Sequence, residues 1–123
     1  MLLIQTNRDA LLKPLQSVIG IVERRHTLPI LSNILIEKNG ENLSVIATDL
    51  EIQITATSVC QDELPDFSVT ASAKKLQDIC RAFPEDSQIA LEKDDSRLQI
   101  KVGKSRFNLQ TLPADDFPKL VPS

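Results

Sequence analysis

From Asp9 to Ile19, apolar side chains recur at three- and four-residue spacing: Ala10, Leu11, Leu12, Leu15, Val18 and Ile19. That spacing predicts a helix with one buried face, with Thr6 and Asn7 as candidate caps and Gly20 as its terminator. Pro14 conflicts with it. Without an N–H, a proline this deep should bend the helix or leave one carbonyl unpaired, yet the apolar register runs on through it. Leu76, Ile79, Cys80 and Phe83 form a second stripe, predicting a helix roughly from Ala73 to Phe83 that Ser72 caps and Pro84 stops.

Short segments of strand character surround these helices. Leu2 to Gln5 precedes the first, and Phe67 to Thr70 precedes the second. Asn33 to Lys38, Leu43 to Thr48 and Glu51 to Ser58 follow the first helix, with a turn at Asn39-Gly40-Glu41 and a sharp reversal at Asp49 and Leu50. Ile52, Ile54 and Ala56 alternate with Gln53, Thr55 and Thr57, which predicts one face in and one face out. Gln88 to Lys93, Arg97 to Val102 and Ser105 to Leu112 follow the second helix, divided by Asp94-Asp95-Ser96 and Gly103-Lys104.

The two runs share one grammar. An offset of 55 residues sets Ile36 on Leu91, Leu43 on Leu98, Val45 on Ile100, Ile52 on Phe107 and Ile54 on Leu109. The helices match at an offset near 65, because the loop from Gly20 to Ser32 is longer than its counterpart around Pro84 and Glu85. An α+β domain follows, built from two strand-helix-three-strand halves, about 1–60 and 66–112, whose adjacent helices cover a face of antiparallel sheet.

Composition narrows the function. A chain of 123 residues suits one domain with its own core, and 41% apolar with 25% charged residues is ordinary for a globular protein. Fourteen Lys and Arg against seventeen Asp and Glu leave a net charge of -3, which argues against a strongly basic nucleic-acid module but not against locally basic contact. The two cysteines, Cys60 and Cys80, are too few for a disulfide scaffold and form no CxxC unit that would suggest zinc or redox chemistry, so a reducing compartment is expected. No run approaches the length of a membrane span, and the first residues lack the basic start of a signal peptide, so a cytoplasmic protein is expected.

Candidate chemistry is sparse. His26 is the only histidine and sits among Arg24, Arg25 and Thr27 in a polar loop, which excludes a multi-histidine metal site. Asp94-Asp95 and Asp115-Asp116 occupy turn-like segments, where solvated carboxylates are the plainer reading than a magnesium site. Three scattered glycines cannot build a phosphate-cradling loop. A metal-dependent nuclease using Asp49 and Glu51 is the weakest rival reading. The basic residues say more: Lys13, Arg24 and Arg25 lie on or just after the first helix, and Lys74, Lys75 and Arg81 lie on the second. On adjacent helices they would form a local positive field suited to phosphates, whereas the absence of Trp and Tyr disfavours a base-stacking platform. In Ser105 to Leu109, Arg106 and Asn108 point opposite to Phe107 and Leu109, an apolar pair that belongs in the core of a monomer and at a junction if the strand is an exposed edge.

Leu11-Leu12-Lys13-Pro14-Leu15, Thr27-Leu28-Pro29-Ile30-Leu31-Ser32-Asn33, Thr48-Asp49-Leu50-Glu51, Asp78-Ile79-Cys80-Arg81, Ser105-Arg106-Phe107 and Leu112-Pro113-Ala114-Asp115-Asp116-Phe117-Pro118 together resemble the amino-terminal domain of the bacterial DNA polymerase III beta sliding clamp family. Each motif is weak alone; in this order, across essentially the whole chain, they are specific. The resemblance implies a non-catalytic DNA replication protein without cofactor or metal. Three such domains per subunit, and two subunits head to tail, would close a homodimeric ring on duplex DNA, with helices inside and sheets outside. It also implies that this chain, 1–123, is the first domain, with the second and third absent, and that the polymerase and clamp loader bind mainly through the missing regions. Lys13, Arg25 and Lys74 match DNA-facing positions, with Arg24 an added charge beside them, and Lys75, Lys104, Arg106, Phe107 and Leu109 match the subunit junction. The main rival is a small protein-interaction domain that never meets DNA.

Overall fold

Positive-φ glycines close two of the hairpins. Gly40 (φ 60) turns the chain after the strand Asn33–Asn39, and Gly103 (φ 58) does the same after the strand Arg97–Val102. These left-handed positions favour a residue without Cβ. A computed structural model describes residues 2–22, 33–48, 52–59, 65–94, 97–112 and 117, with Ile21 and Val22 in backbone only. In chain order the elements are β1 (Leu2–Asn7), α1 (Arg8–Val22), β2 (Asn33–Asn39), β3 (Asn42–Thr48), β4 (Gln53–Val59), β5 (Phe67–Ser72), α2 (Ala73–Arg81), β6 (Gln88–Asp94), β7 (Arg97–Val102) and β8 (Ser105–Gln110). Arg24, Arg25, His26, Asp49, Glu51, Cys60, Asp95, Asp115 and Asp116 lie outside the described residues.

The expected halves are present, β-α-β-β-β twice, and they are interlocked. Sheet A runs β1-β6-β7-β8 and sheet B runs β4-β3-β2-β5, every pairing antiparallel. Each half thus lends its leading strand to the other half's sheet. The repeat is accurate at the lent strands: Asn7 faces Gln88 as Ser72 faces Asn33. Both helix starts also match, since Asn7 Oδ1 accepts from the Ala10 N–H at 2.9 Å and Ser72 Oγ from the Lys75 N–H at 3.4 Å.

The last strand of each half corrects the sequence alignment. Ala47 faces Ile54, whereas Val102, its mate at the 55 offset, faces Ser105. Ile54 therefore corresponds to Ser105, an offset of 51, and Phe107 takes the place of Ala56 rather than of Ile52. The longer β3–β4 reversal absorbs the difference. Two ends are corrected as well. Gly20 lies within α1, which continues to Val22, and β8 ends at Gln110 rather than at Leu112.

One core joins the sheets and helices. Leu11, Leu12, Leu15 and Val18 of α1 and Leu76, Ile79 and Cys80 of α2 pack with Ile34, Ile36, Leu43 and Val45 from sheet B and Leu91, Leu98 and Ile100 from sheet A. Burial pushes the Cys80 thiol up to about 12, with the Arg8 charge pulling weakly the other way, so it packs as an inert apolar group.

Pro14 is reconciled by a neighbour. Ala10, four residues earlier, offers the carbonyl that a residue-14 N–H would have bonded, and Ser58 Oγ of β4 donates to it at 2.6 Å. Replacing Ser58 with alanine should lower unfolding free energy by about 1–2 kcal/mol, because a partly buried carbonyl loses its substitute donor. Pro14→Ala in the same background should recover most of that loss by restoring the helical N–H. Urea unfolding of the four combinations measures the coupling, and additive effects would refute the compensation.

Candidate nucleic-acid interface

α1 and α2 pack against each other, each with one stripe in the core and the opposite one in solvent. The Arg8 guanidinium ties the start of α1 to the end of α2, donating to the Phe83 carbonyl at 2.8 Å while pairing with Asp9 at 2.9 Å. Arg8 escaped the sequence reading, because its partner lies 75 residues away. Lys13, Gln16 and Ser17 are exposed on α1, and Lys74, Lys75, Asp78 and Arg81 on α2. At the 65 offset Lys74 replaces Asp9 and Lys13 replaces Asp78, so the helix face is mixed rather than uniformly basic. Lys13 and Lys74 make no salt bridge with any described residue, which leaves both ammonium groups available to a phosphate. Arg24 and Arg25 fall outside the described residues.

β8 is an edge of sheet A, with β7 on one side only. Lys104 and Arg106 are exposed. Arg106 stands opposite Lys101, and Lys101 is occupied by Glu92, whose carboxyl that hydrogen bond holds below the ordinary carboxylate range. Arg106 itself has no salt bridge among the described residues. The opposite face turns inward: Leu109 is 8% exposed and belongs to the core, while half-buried Phe107 meets Phe83 edge-on at 6.0 Å between ring centres. Lys75 approaches this strand from α2, lining a surface depression with Asn108, Leu109, Gln110 and Leu112. The structure thus gathers Lys75 and Leu109 at one place, with Arg106 on the same edge strand and Lys104 in the turn before it.

β4 carries a feature that alternation concealed. Ile52 and Ile54 are 50% and 36% exposed, so the expected inward face of this segment buries mainly Ala56, and Val59, 61% exposed, lies on the opposite side. β4 is the edge of sheet B and the counterpart of β8. Its apolar residues read as core because a strand pattern marks which side chains share a face, not whether anything covers it.

Among the described residues, no group of three or more His, Cys, Asp and Glu could hold a metal, and no helix is long and apolar enough to cross a membrane. Two halves that exchange leading strands around a shared helix pair, with β1 and β8 at the edges of one sheet and β4 and β5 at the edges of the other, define a domain of the DNA-clamp class. The chain belongs to the family described as DNA polymerase III beta subunit, N-terminal domain, which matches residues 2–121. The beta sliding clamp of Pseudomonas aeruginosa is 49% identical over 111 residues, covering 90% of this chain and 30% of that protein. The beta sliding clamp of Caulobacter vibrioides is 48% identical over 113 residues, with the same two coverages of 90% and 30%. A crystal structure of a DNA polymerase sliding clamp from Pseudomonas aeruginosa with ligand superposes at a TM-score of 0.91 and 42% identity, spanning 100% of this chain and 33% of that one. The chain therefore spans about 30% of the length of these curated relatives.

Proposed function

We propose that this chain serves as the first domain of a three-domain clamp subunit, two of which close head to tail around duplex DNA and hold a replicative polymerase to its template. The observation that carries the proposal is the contrast between two of the four edge strands, β4 and β8. A domain within a ring needs two different junction surfaces, and β4 offers exposed apolar side chains while β8 and the turn before it offer Arg106 and Lys104, neither in a salt bridge with a described residue. Between them, the helices present Lys13 and Lys74, to which Arg25 and Arg24 add in sequence.

Function in this reading is topological and needs no chemistry from the chain. Enclosure prevents escape even where each phosphate contact is weak, and backbone contacts carry no base information, so the ring slides. A chain of net charge -3 fits this requirement, because tight clamping would oppose sliding. At the β8 junction, Lys75, Lys104 and Arg106 would meet acidic groups of the next subunit, with Phe107 adding apolar contact and Leu109 supporting it from the core. Polymerase and loader would engage mainly the other domains.

The full-length protein, loaded on nicked circular duplex, should remain bound through gel filtration and be released when the circle is linearised. Equal retention on circular and linear DNA would overturn enclosure. A protein that ignores DNA and binds only a peptide would favour an interaction domain instead.

A further inference from the structure

Sheet B has apolar residues on both faces, and its outer face is covered in part. Its inner face joins the main core, but Leu35 and Ile46, paired across β2 and β3, point the other way and form a separate apolar cluster with Phe117. Phe117 is 5% exposed, although it lies beyond the last strand. Leu35 also faces Thr70 of β5, so Thr70, Leu35 and Ile46 make one row across three strands. Thr70 is fully buried on the outer side because Leu112 sits on it.

The Thr70–Leu112 contact has two prongs. Thr70 Oγ1 donates to the Leu112 carbonyl at 2.7 Å and accepts from the Leu112 N–H at 3.0 Å, while Asn33 Nδ2 donates to the same hydroxyl at 3.3 Å. β8 ends at Gln110, opposite Arg97 at the start of β7, and both backbone groups of Leu112 bond instead to a side chain of sheet B. Leu112 and Phe117 thus both bear on the outer face of sheet B.

We infer that Thr70, Leu112 and Phe117 form a latch that sets the direction in which the chain leaves this domain, and so positions the domain that follows it in a full-length clamp. The inference rests on the ring reading above. One anchor would let the following domain swing about it; two anchors on one sheet face fix a line. Relative domain motion is the default where little surface is shared, and a head-to-tail contact closes only at the correct rotation, so an error at this exit reappears as a misfit at β8.

In the full-length protein, Phe117→Ala, Thr70→Val and Thr70→Ser test the latch by three measurements: subunit exchange, the spin-label distance distribution between this domain and the next, and circular dichroism. Phe117→Ala and Thr70→Val should broaden the distances and speed exchange by about tenfold with the fold retained, whereas Thr70→Ser keeps the hydroxyl and should match the wild type. If Thr70→Val unfolds the domain, Phe117→Ala still decides, since Phe117 lies outside the main core. Unchanged distances and exchange in a folded Phe117→Ala protein would overturn the latch, as would Thr70→Ser behaving like Thr70→Val. A wild-type protein that forms no ring would defeat the ring reading alone, because the distance measurement needs no ring.

Discussion

Alanine at Lys13, Arg25 and Lys74 together should weaken binding of the full-length ring to duplex DNA of every sequence, by about two orders of magnitude at moderate salt. Each phosphate contact releases counterions and contributes about 0.9 to the slope of log affinity against log salt. Three cations in each of two subunits would then lower that slope by up to about 5, with the loss shared evenly among unrelated sequences. Lys13 and Lys74 suit the test because both are exposed and neither is engaged in a salt bridge with a described residue, so their removal leaves no stranded carboxylate. Asp9 is held by Arg8 and does not depend on Lys13. Salt titrations on several duplexes measure the effect; a loss confined to one sequence would contradict backbone contact.

The second large effect is expected at the edge strand. Arg106→Glu in the full-length protein should speed ring opening by about 10- to 100-fold, as reversal of a close interfacial charge pair costs roughly 2–5 kcal/mol when the pair is desolvated and less at a rim. The domain should stay folded, because Arg106 is exposed and its cross-strand neighbour is Lys101, beside which a carboxylate is tolerated. Phe107→Ala and Leu109→Ala are poorer probes: the first also removes the contact with Phe83 and the second opens the core. Subunit exchange followed beside circular dichroism decides the matter. Unchanged exchange in a folded Arg106→Glu protein would remove β8 from the junction.

Pattern alone settled those features that depend on near neighbours. The apolar stripes of α1 and α2, the caps at Asn7 and Ser72, and the hairpin turns at Gly40 and Gly103 each follow from spacing or from one residue's backbone preference, and the structure has them. The lysines of the helix face were legible for the same reason: a charge opposite an apolar stripe must face solvent. Even the internal repeat was visible, because strands and helices recur with matching apolar positions.

What tertiary structure decided is everything that depends on which partner fills a given face. Alternation marked Leu43 and Val45 as inward but could not show that β1 would cross to β6, and β5 to β2, since any antiparallel neighbour satisfies the same pattern. The same ambiguity left Ile52 and Ile54 indistinguishable from core residues, although nothing in this domain fully covers them. Pro14 read as a defect until Ser58, remote in sequence, supplied the missing donor. Leu112 and Phe117 formed part of a motif without a structural role until Thr70, Leu35 and Ile46 gave them a surface. Hydrogen-bonding capacity and apolar area are written in the residues, but long-range pairing assigns their partners, and that assignment exists only in the folded chain.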